Sequence, residues 1–270
     1  MPGILPHLIC AALYGLLAIA LYQRLVTHPD DRHQSPLFHW AILAPLLLHT
    51  WLLYHSVVID NGIYLGVGNS LSSIIWLTVL IYWLGNFYYR LQSLQVFVLG
   101  SAAALVLMPL LFRSVHPLPH TGFVAFRLHL LISMLAFSLL TIASLQAFMM
   151  ALLERRLHAG TLPPYLRSLP PLLSMERLLF QIILAGFVLL TLTLGSGMVF
   201  SEELFGQSLR LTHKVVFGLI AWVIFAALLG GRRIYGWRGR VALRWTLAGF
   251  MALVLAYIGS KFVLEVLLAG

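Results

Sequence analysis

The chain has 270 residues, of which 61% are hydrophobic and only 9% carry a formal charge. Soluble domains have about a quarter of their residues charged, so this composition excludes an ordinary water-soluble enzyme. The formal net charge of +9 does not by itself indicate nucleic acid, because basic residues in a membrane protein mainly mark the loops that face the cytoplasm. The single cysteine, Cys10, excludes an internal disulfide and a cysteine-rich metal site. We therefore expect a polytopic membrane protein that does not bind nucleic acid.

Eight apolar stretches are long enough to cross a bilayer, which takes about 20 residues per helix. They are continuous rather than alternating, which disfavours a membrane β-barrel. The sequence thus predicts an all-α bundle of about eight transmembrane helices that forms a single membrane domain over residues 1–270. The predicted spans are Leu5–Tyr22, Leu37–Val58, Leu71–Tyr89, Leu94–Phe112, Phe123–Leu153, Leu178–Phe200, Leu209–Leu229 and Val241–Leu268.

Few prolines lie inside the predicted spans, whereas broken helices near the midplane would favour a transporter. Pro45 in the second span and Pro109 in the fourth are the only prolines that could break a span internally. Two Pro-Pro pairs follow the fifth span. The segment 154–177 is therefore predicted to be a short cytoplasmic loop on the membrane surface, too small to fold alone.

The ends of the eight predicted spans lie alternately on the two sides of the membrane. Arginine and lysine are distributed unevenly between these two sets of ends. One set carries twelve of them and the other carries five. Because the richer set belongs in the cytoplasm, both termini are predicted on the periplasmic side of a bacterial inner membrane. The first span has no basic segment before it and is followed by Arg24, so we interpret it as a membrane anchor rather than a cleaved signal peptide.

Four of the eleven histidines fall inside apolar spans: His49, His55, His129 and His213. From the helical rise, His129 and His213 lie about 8–9 Å below the outer boundary of the membrane. His55 lies at a comparable depth and His49 near the bilayer centre. Three imidazoles from three helices should therefore share one layer, with a fourth beneath. Polar side chains in hydrocarbon are costly and usually mark a site, a relay or a pathway.

The surroundings of these histidines favour a large flat ligand over a small ion. Neutral imidazole binds heme iron, copper and zinc, but no carboxylate or thiolate lies in these spans at that depth. The layer is lined instead by aromatic and small residues, namely Trp51, Tyr54, Phe126, Phe217 and 195–197. The remaining histidines are expected to be solvated or interfacial, including His7 and His39.

Cations close to the histidines fit a ligand that carries carboxylates. Arg127, Arg210 and Lys214 lie near His129 and His213 in sequence, at the level where heme propionates would reach the interface. Interfacial snorkelling explains them as well.

One face of the fifth helix carries small residues after His129, namely Ser133, Ala136, Ala143 and Ala147. Such a face admits either a macrocycle edge or a closely packed helix.

Several motifs resemble one family of membrane proteins. They are 175–177, 189–197, Ala221-Trp222, the turn 236–239, 256–261 and the helix that opens at 128–131. Together they resemble the cytochrome c assembly protein (CcsA-like) superfamily over nearly the whole chain. The likeness is greatest to its short eight-helix, YpjD-like branch, which is related to the HemX-type proteins.

The resemblance implies a heme-binding scaffold in which His129 is carried over and His49 matches a histidine of the family's second helix. Two features depart from the family. The Trp-rich external segment of the full synthases is replaced by the brief stretch 201–211, and a family histidine is replaced by Gly230 or Gly231. The resemblance therefore does not imply that this chain attaches heme to an apocytochrome.

We expect a protein that binds heme b and carries, stores or delivers it on the periplasmic side, rather than an enzyme with catalytic residues. His129 and His213 are the leading axial ligands to the iron, and His49 and His55 are alternative or transfer ligands. Its partners would be heme, the lipid bilayer and a heme-accepting or heme-synthesis protein. Three alternatives stay open: a b-type electron-transfer protein, a regulator of heme synthesis acting through 154–177, and a permease with His49 as a proton relay.

Overall fold

The computed structural model describes residues 3–28, 36–59, 62–89, 92–112, 117–118, 123–159, 171–205 and 213–259. Within these ranges, eight helical segments are long and apolar enough to cross a membrane. This finding confirms the prediction of an all-α, polytopic membrane protein. A two-residue antiparallel pair joins Val58–Ile59 (β1) to Gly62–Ile63 (β2), with Val58 opposite Ile63.

In the part of the chain that the structure describes, ten α-helices form the eight segments, because two of the segments are broken. The first six helices are α1 (Ile4–Thr27), α2 (Pro36–Ala41), α3 (Leu43–Val57), α4 (Val67–Gly85), α5 (Gln92–Leu105) and α6 (Met108–Leu111). The last four are α7 (Val124–His158), α8 (Leu172–Phe205), α9 (His213–Tyr235) and α10 (Arg240–Val254), after which Leu255–Gly259 forms a turn of π-helix.

Both breaks fall four residues before a proline. Helix α2 ends at Ala41, four residues before Pro45, and α5 ends at Leu105, four residues before Pro109. A proline has no N–H to donate to the carbonyl four residues earlier, and its ring clashes with that carbonyl. Each proline therefore lies in the first turn of a new helix, where a missing N–H costs least.

Helices α7 and α8 are longer than predicted, with 35 and 34 residues. At about 1.5 Å per residue, each exceeds the roughly 30 Å of bilayer hydrocarbon. Helix α7 continues to His158 and α8 begins at Leu172, so both ends of the segment 154–177 are helical. The middle of that segment, 160–170, lies outside the described residues.

Contacts divide the chain into two compact units, 1–117 with 148–175 and 118–147 with 176–270. In the first unit, α1 packs against α5 and α3, and α4 approaches the backbone of α6 at Gly68. A methyl group at Gly68 would collide with the carbonyl oxygens of Phe112 and Met108.

In the second unit, α9 packs against α10 and the first part of α7 contacts α8. Gly249 faces the Phe225 ring, and a methyl group at Gly186 would lie 2.8 Å from the side chain of Leu140. The small residues Ala136, Ala143 and Ala147 are buried, as close helix packing requires. His129 and Ser133, nearer the start of α7, are only half-buried.

Candidate functional site around His129

His129 lies in the second turn of α7, and a hydrogen bond to α8 orients its ring. Its Nδ1 atom lies 2.7 Å from the hydroxyl oxygen of Ser196. The hydroxyl of Ser133 donates to the main-chain carbonyl of His129 at 2.7 Å. The sequence had placed Ser196 at the same depth as His129, and the structure brings the two side chains into contact.

The hydrogen bonds of Ser196 determine which nitrogen of His129 carries the proton. A serine hydroxyl has one hydrogen to donate, and Ser196 Oγ lies 2.7 Å from the carbonyl oxygen of Leu192. A carbonyl can only accept, so the serine proton points to Leu192 and Ser196 accepts a hydrogen bond from His129 Nδ1–H. This tautomer has its lone pair on Nε2, the arrangement in which a second partner orients a metal-binding imidazole.

The glycines beside Ser196 leave space next to the imidazole. A Cβ atom at Gly197 would lie 3.4 Å from His129 Cε1, while one at Gly195 would meet nothing within 4 Å. A side chain at Gly197 would narrow the approach to His129. The ring therefore lies against Gly197 of α8.

Lys214 belongs to the same site. It lies in the first turn of α9, within electrostatic range of His129. Its Nζ atom lies 5.6 Å from the centroid of the Tyr257 ring, and that ring also packs against Phe137. Tyr257 is in the π-helical turn after α10; single π-turns often occur at functional sites. The sequence indicated Lys214, but Tyr257 entered only as part of a family motif.

Two other predicted residues of this unit, like Lys214, are more exposed than His129. His213 is the first residue of α9, and its side chain is exposed. The side chain of Arg127, on the first turn of α7, is exposed as well. Arg210 lies outside the described residues.

His49 lies in the first unit and is fully buried, with 0% of its surface exposed. Its Nε2 atom lies 2.8 Å from Ser72 Oγ and its Nδ1 atom 3.4 Å from the hydroxyl of Tyr14. The Tyr14 and His49 rings meet edge to face, 5.8 Å apart. Both nitrogens are therefore engaged inside the protein.

His55 and Trp51 lie on the exposed side of the same helix, α3. His55 Nδ1 contacts the carbonyl oxygen of Trp51 at 3.0 Å, and the two rings are 4.6 Å apart. Both side chains are exposed. They form an aromatic pair on the surface, whereas His49 on the same helix is buried.

The expectation that His7 and His39 are solvated or interfacial is wrong. His7 is 3% exposed and His39 9% exposed. His7 lies on the buried face of α1 with Cys10 and Tyr14, and their spacing of three and seven residues was the signal that should have indicated burial. His39 stacks on the Trp83 ring, 5.4 Å between centroids.

These features define a multi-pass helical membrane protein with a half-buried histidine held at the junction of two helices. The sequence model of the family described as "Cytochrome C assembly protein" matches residues 39–268. The chain therefore belongs to the cytochrome c assembly protein family. The resemblance found in the sequence, including its YpjD-like branch, is confirmed.

Curated relatives agree with this assignment. The chain is 37% identical over 139 residues to "Inner membrane protein YpjD" of Escherichia coli (strain K12), and the alignment covers 52% of each protein. It is 35% identical over 141 residues to an "Uncharacterized 28.8 kDa protein" of Azospirillum brasilense, again 52% of each. It is 36% identical over 86 residues to "Cytochrome c biogenesis protein CcsA" of Prochlorococcus marinus (strain NATL1A), covering 32% of this chain and 27% of that protein. The matches to the first two relatives thus span about half of their length.

Proposed function

We propose that this protein binds heme b in the bacterial inner membrane and carries, stores or delivers it on the periplasmic side. The observation that carries the proposal is the contact of His129 with Ser196. It holds the imidazole as the Nδ1–H tautomer, with the Nε2 lone pair as the atom for iron. The membership of the family, whose name refers to cytochrome c assembly, supports heme as the ligand.

The residues around His129 fit a heme group. Heme supplies an iron that accepts imidazole nitrogens at its axial positions. Ser196 fixes the tautomer of His129, and Gly197 keeps the space beside Cε1 free of a side chain. Lys214 provides a cation for a propionate carboxylate. Ring packing of Tyr257 against Phe137 forms an apolar wall beside Lys214.

We assign His213 as the second axial ligand, with Arg127 and Arg210 as further cations for the propionates. His213 adjoins Lys214 and its exposed imidazole is available for exchange. Exchangeable ligation suits a carrier better than a permanent cofactor site, because handing heme to a recipient requires the ligands to be released. The recipient would be a heme-accepting or heme-synthesis protein.

His49, His55 and Trp51 remain candidates for a transfer site in the first unit. For His49 to bind iron, its hydrogen bond to Ser72 or to Tyr14 must first break. Breaking a buried hydrogen bond costs about 1–3 kcal/mol. His49 would therefore bind iron only at the cost of one of these contacts.

The decisive measurement is the heme content of the detergent-purified protein, from oxidised and reduced absorption spectra and the pyridine hemochrome. His129→Ala should lose most of the b-type absorption. His158→Ala is the matched control, because His158 lies on the same helix with its Nδ1 contacting a main-chain carbonyl and is exposed. This control should keep the wild-type heme content.

Ser196→Ala tests the role of the tautomer separately. Removing a residue that orients a metal ligand weakens metal binding about tenfold or more, so this variant should bind added hemin correspondingly less tightly. Wild-type affinity in Ser196→Ala would contradict the tautomer argument. A wild-type protein that is colourless and takes up no added hemin would overturn the proposal.

A further inference from the structure

Six arginines surround the ends of three helices in the second unit. They lie at the start of α8, at the end of α9 and around the start of α10, namely Arg177, Arg232, Arg233, Arg238, Arg240 and Arg244. Within the stretches 171–177 and 231–244, Glu176 is the only acidic residue. We call this group the arginine cluster.

Both carboxylate oxygens of Glu176 already have partners within the protein. It is 8% exposed; its Oε1 atom pairs with Arg232 at 3.4 Å, and its Oε2 atom accepts the main-chain N–H of Gly239 at 3.1 Å. The guanidinium of Arg232 lies 3.6 Å above the Phe180 ring. The one carboxylate therefore anchors Arg232 and the turn before α10, with both of its oxygens engaged.

The other five arginines of the cluster differ from Arg232 in being exposed. Arg177, Arg233, Arg238 and Arg244 are exposed, and none of the carboxylates that the structure describes forms an ion pair with them. Arg177 and Arg238 are close enough to Arg232 for their charges to repel. The cluster therefore has an excess of positive charge that an external anion would relieve.

Aromatic rings of the kind that favour the level of the lipid headgroups lie beside the cluster. The Trp237 ring lies over Gly231, where a methyl group would collide with it. It also lies between Tyr235 and Trp245, with ring centroids 6.3 Å and 5.1 Å away. Trp and Tyr concentrate where a membrane protein meets the headgroups.

From the charge, the aromatic rings and the position at the ends of membrane-spanning helices, we propose that the arginine cluster is a binding site for anionic phospholipid. The phosphodiester of phosphatidylglycerol or cardiolipin would pair with the exposed guanidinium groups, and its acyl chains would run along the apolar helices. Basic clusters at the cytoplasmic ends of transmembrane helices recognise such headgroups. This site does not depend on the proposed binding of heme.

The test is a titration of short-chain phosphatidylglycerol into the full-length, detergent-purified protein, followed by tryptophan fluorescence, with phosphatidylcholine as the reference lipid. We expect wild type to bind phosphatidylglycerol about tenfold more tightly than phosphatidylcholine. R233Q/R238Q should lose most of this preference. R155Q/R156Q removes two exposed arginines at the end of α7, on the same predicted side, and should keep it.

Unchanged thermal stability in phosphatidylcholine would establish that R233Q/R238Q folds, and R177Q/R244Q serves as a second variant if it does not. The absence of a lipid preference in wild type would overturn the proposal. So would an equal loss in R155Q/R156Q, since the effect would then be one of net charge. Inorganic phosphate that binds as tightly as the lipid would reduce the site to a general anion site and overturn the assignment to phospholipid.

Discussion

At His129, one hydroxyl proton determines which ring nitrogen carries the hydrogen. Ser196 gives its proton to the carbonyl of Leu192 and so accepts from Nδ1 of the histidine. At His49, Tyr14 and Ser72 engage both nitrogens of a fully buried ring. Two histidines that both lie in apolar spans thus differ in their burial and in their hydrogen-bond partners.

The burial of His49 predicts a structural penalty for its removal. His49→Ala leaves a cavity and two hydroxyls without their partner, which costs roughly 2 kcal/mol or more. The melting temperature in detergent should therefore fall, while the heme bound per folded molecule stays near the wild-type value. His28→Ala, at an exposed histidine, should leave both unchanged. Lost heme at an unchanged melting temperature would instead identify His49 as a ligand.

Among the helices, two broken spans organise the first unit. Pro45 and Pro109 end α2 and α5 four residues upstream. The short helix α6 that follows the second break packs its backbone directly against α4 at Gly68. A contact between backbones leaves no flexible side chain that can move aside, so the glycine is required by packing.

Gly68→Ala should therefore destabilise the protein, because the added methyl group meets the carbonyl oxygens of Phe112 and Met108. Overpacking of this kind typically costs about 1–3 kcal/mol. Gly85→Ala, at the other end of α4 with nothing within 4 Å of the new methyl group, should have no effect or stabilise slightly. Melting temperatures of the two variants by differential scanning fluorimetry provide the comparison, and equal values would contradict the packing argument.

For the whole molecule, eight spans and the uneven distribution of arginine and lysine predict the orientation in the membrane. Twelve basic residues lie at one set of span ends and five at the other. The richer set is expected in the cytoplasm. This orientation would place the start of α7, and with it His129, on the periplasmic side.

Cysteine labelling in whole cells tests this orientation. The native Cys10 is buried, so the wild type should react little with a membrane-impermeant maleimide. Val58→Cys, at the end of α3, should react in intact cells, whereas His158→Cys, at the end of α7, should react only after the membrane is permeabilised. The reverse pattern would invert the topology and place the His129 site on the cytoplasmic side.

The sequence alone determined the class of protein and the number of apolar spans, and it identified the two prolines that lie inside them. Hydropathy and the missing N–H of proline are properties of the residues themselves, so they appear without any knowledge of packing. The family was also recognisable, as the match over 39–268 confirms. The sequence also predicted that Ser196 lies at the depth of His129, because the helical rise relates position along a span to depth.

Only the tertiary structure decided which histidines are enclosed and how. Ser196 lies 67 residues from His129 in the chain, and Ser72 and Tyr14 lie 23 and 35 residues from His49. The contacts of Glu176 with Arg232 and with Gly239 likewise join residues that are 56 and 63 positions apart in the chain. Such pairings depend on the rotation and packing of whole helices, which the sequence of one helix does not specify.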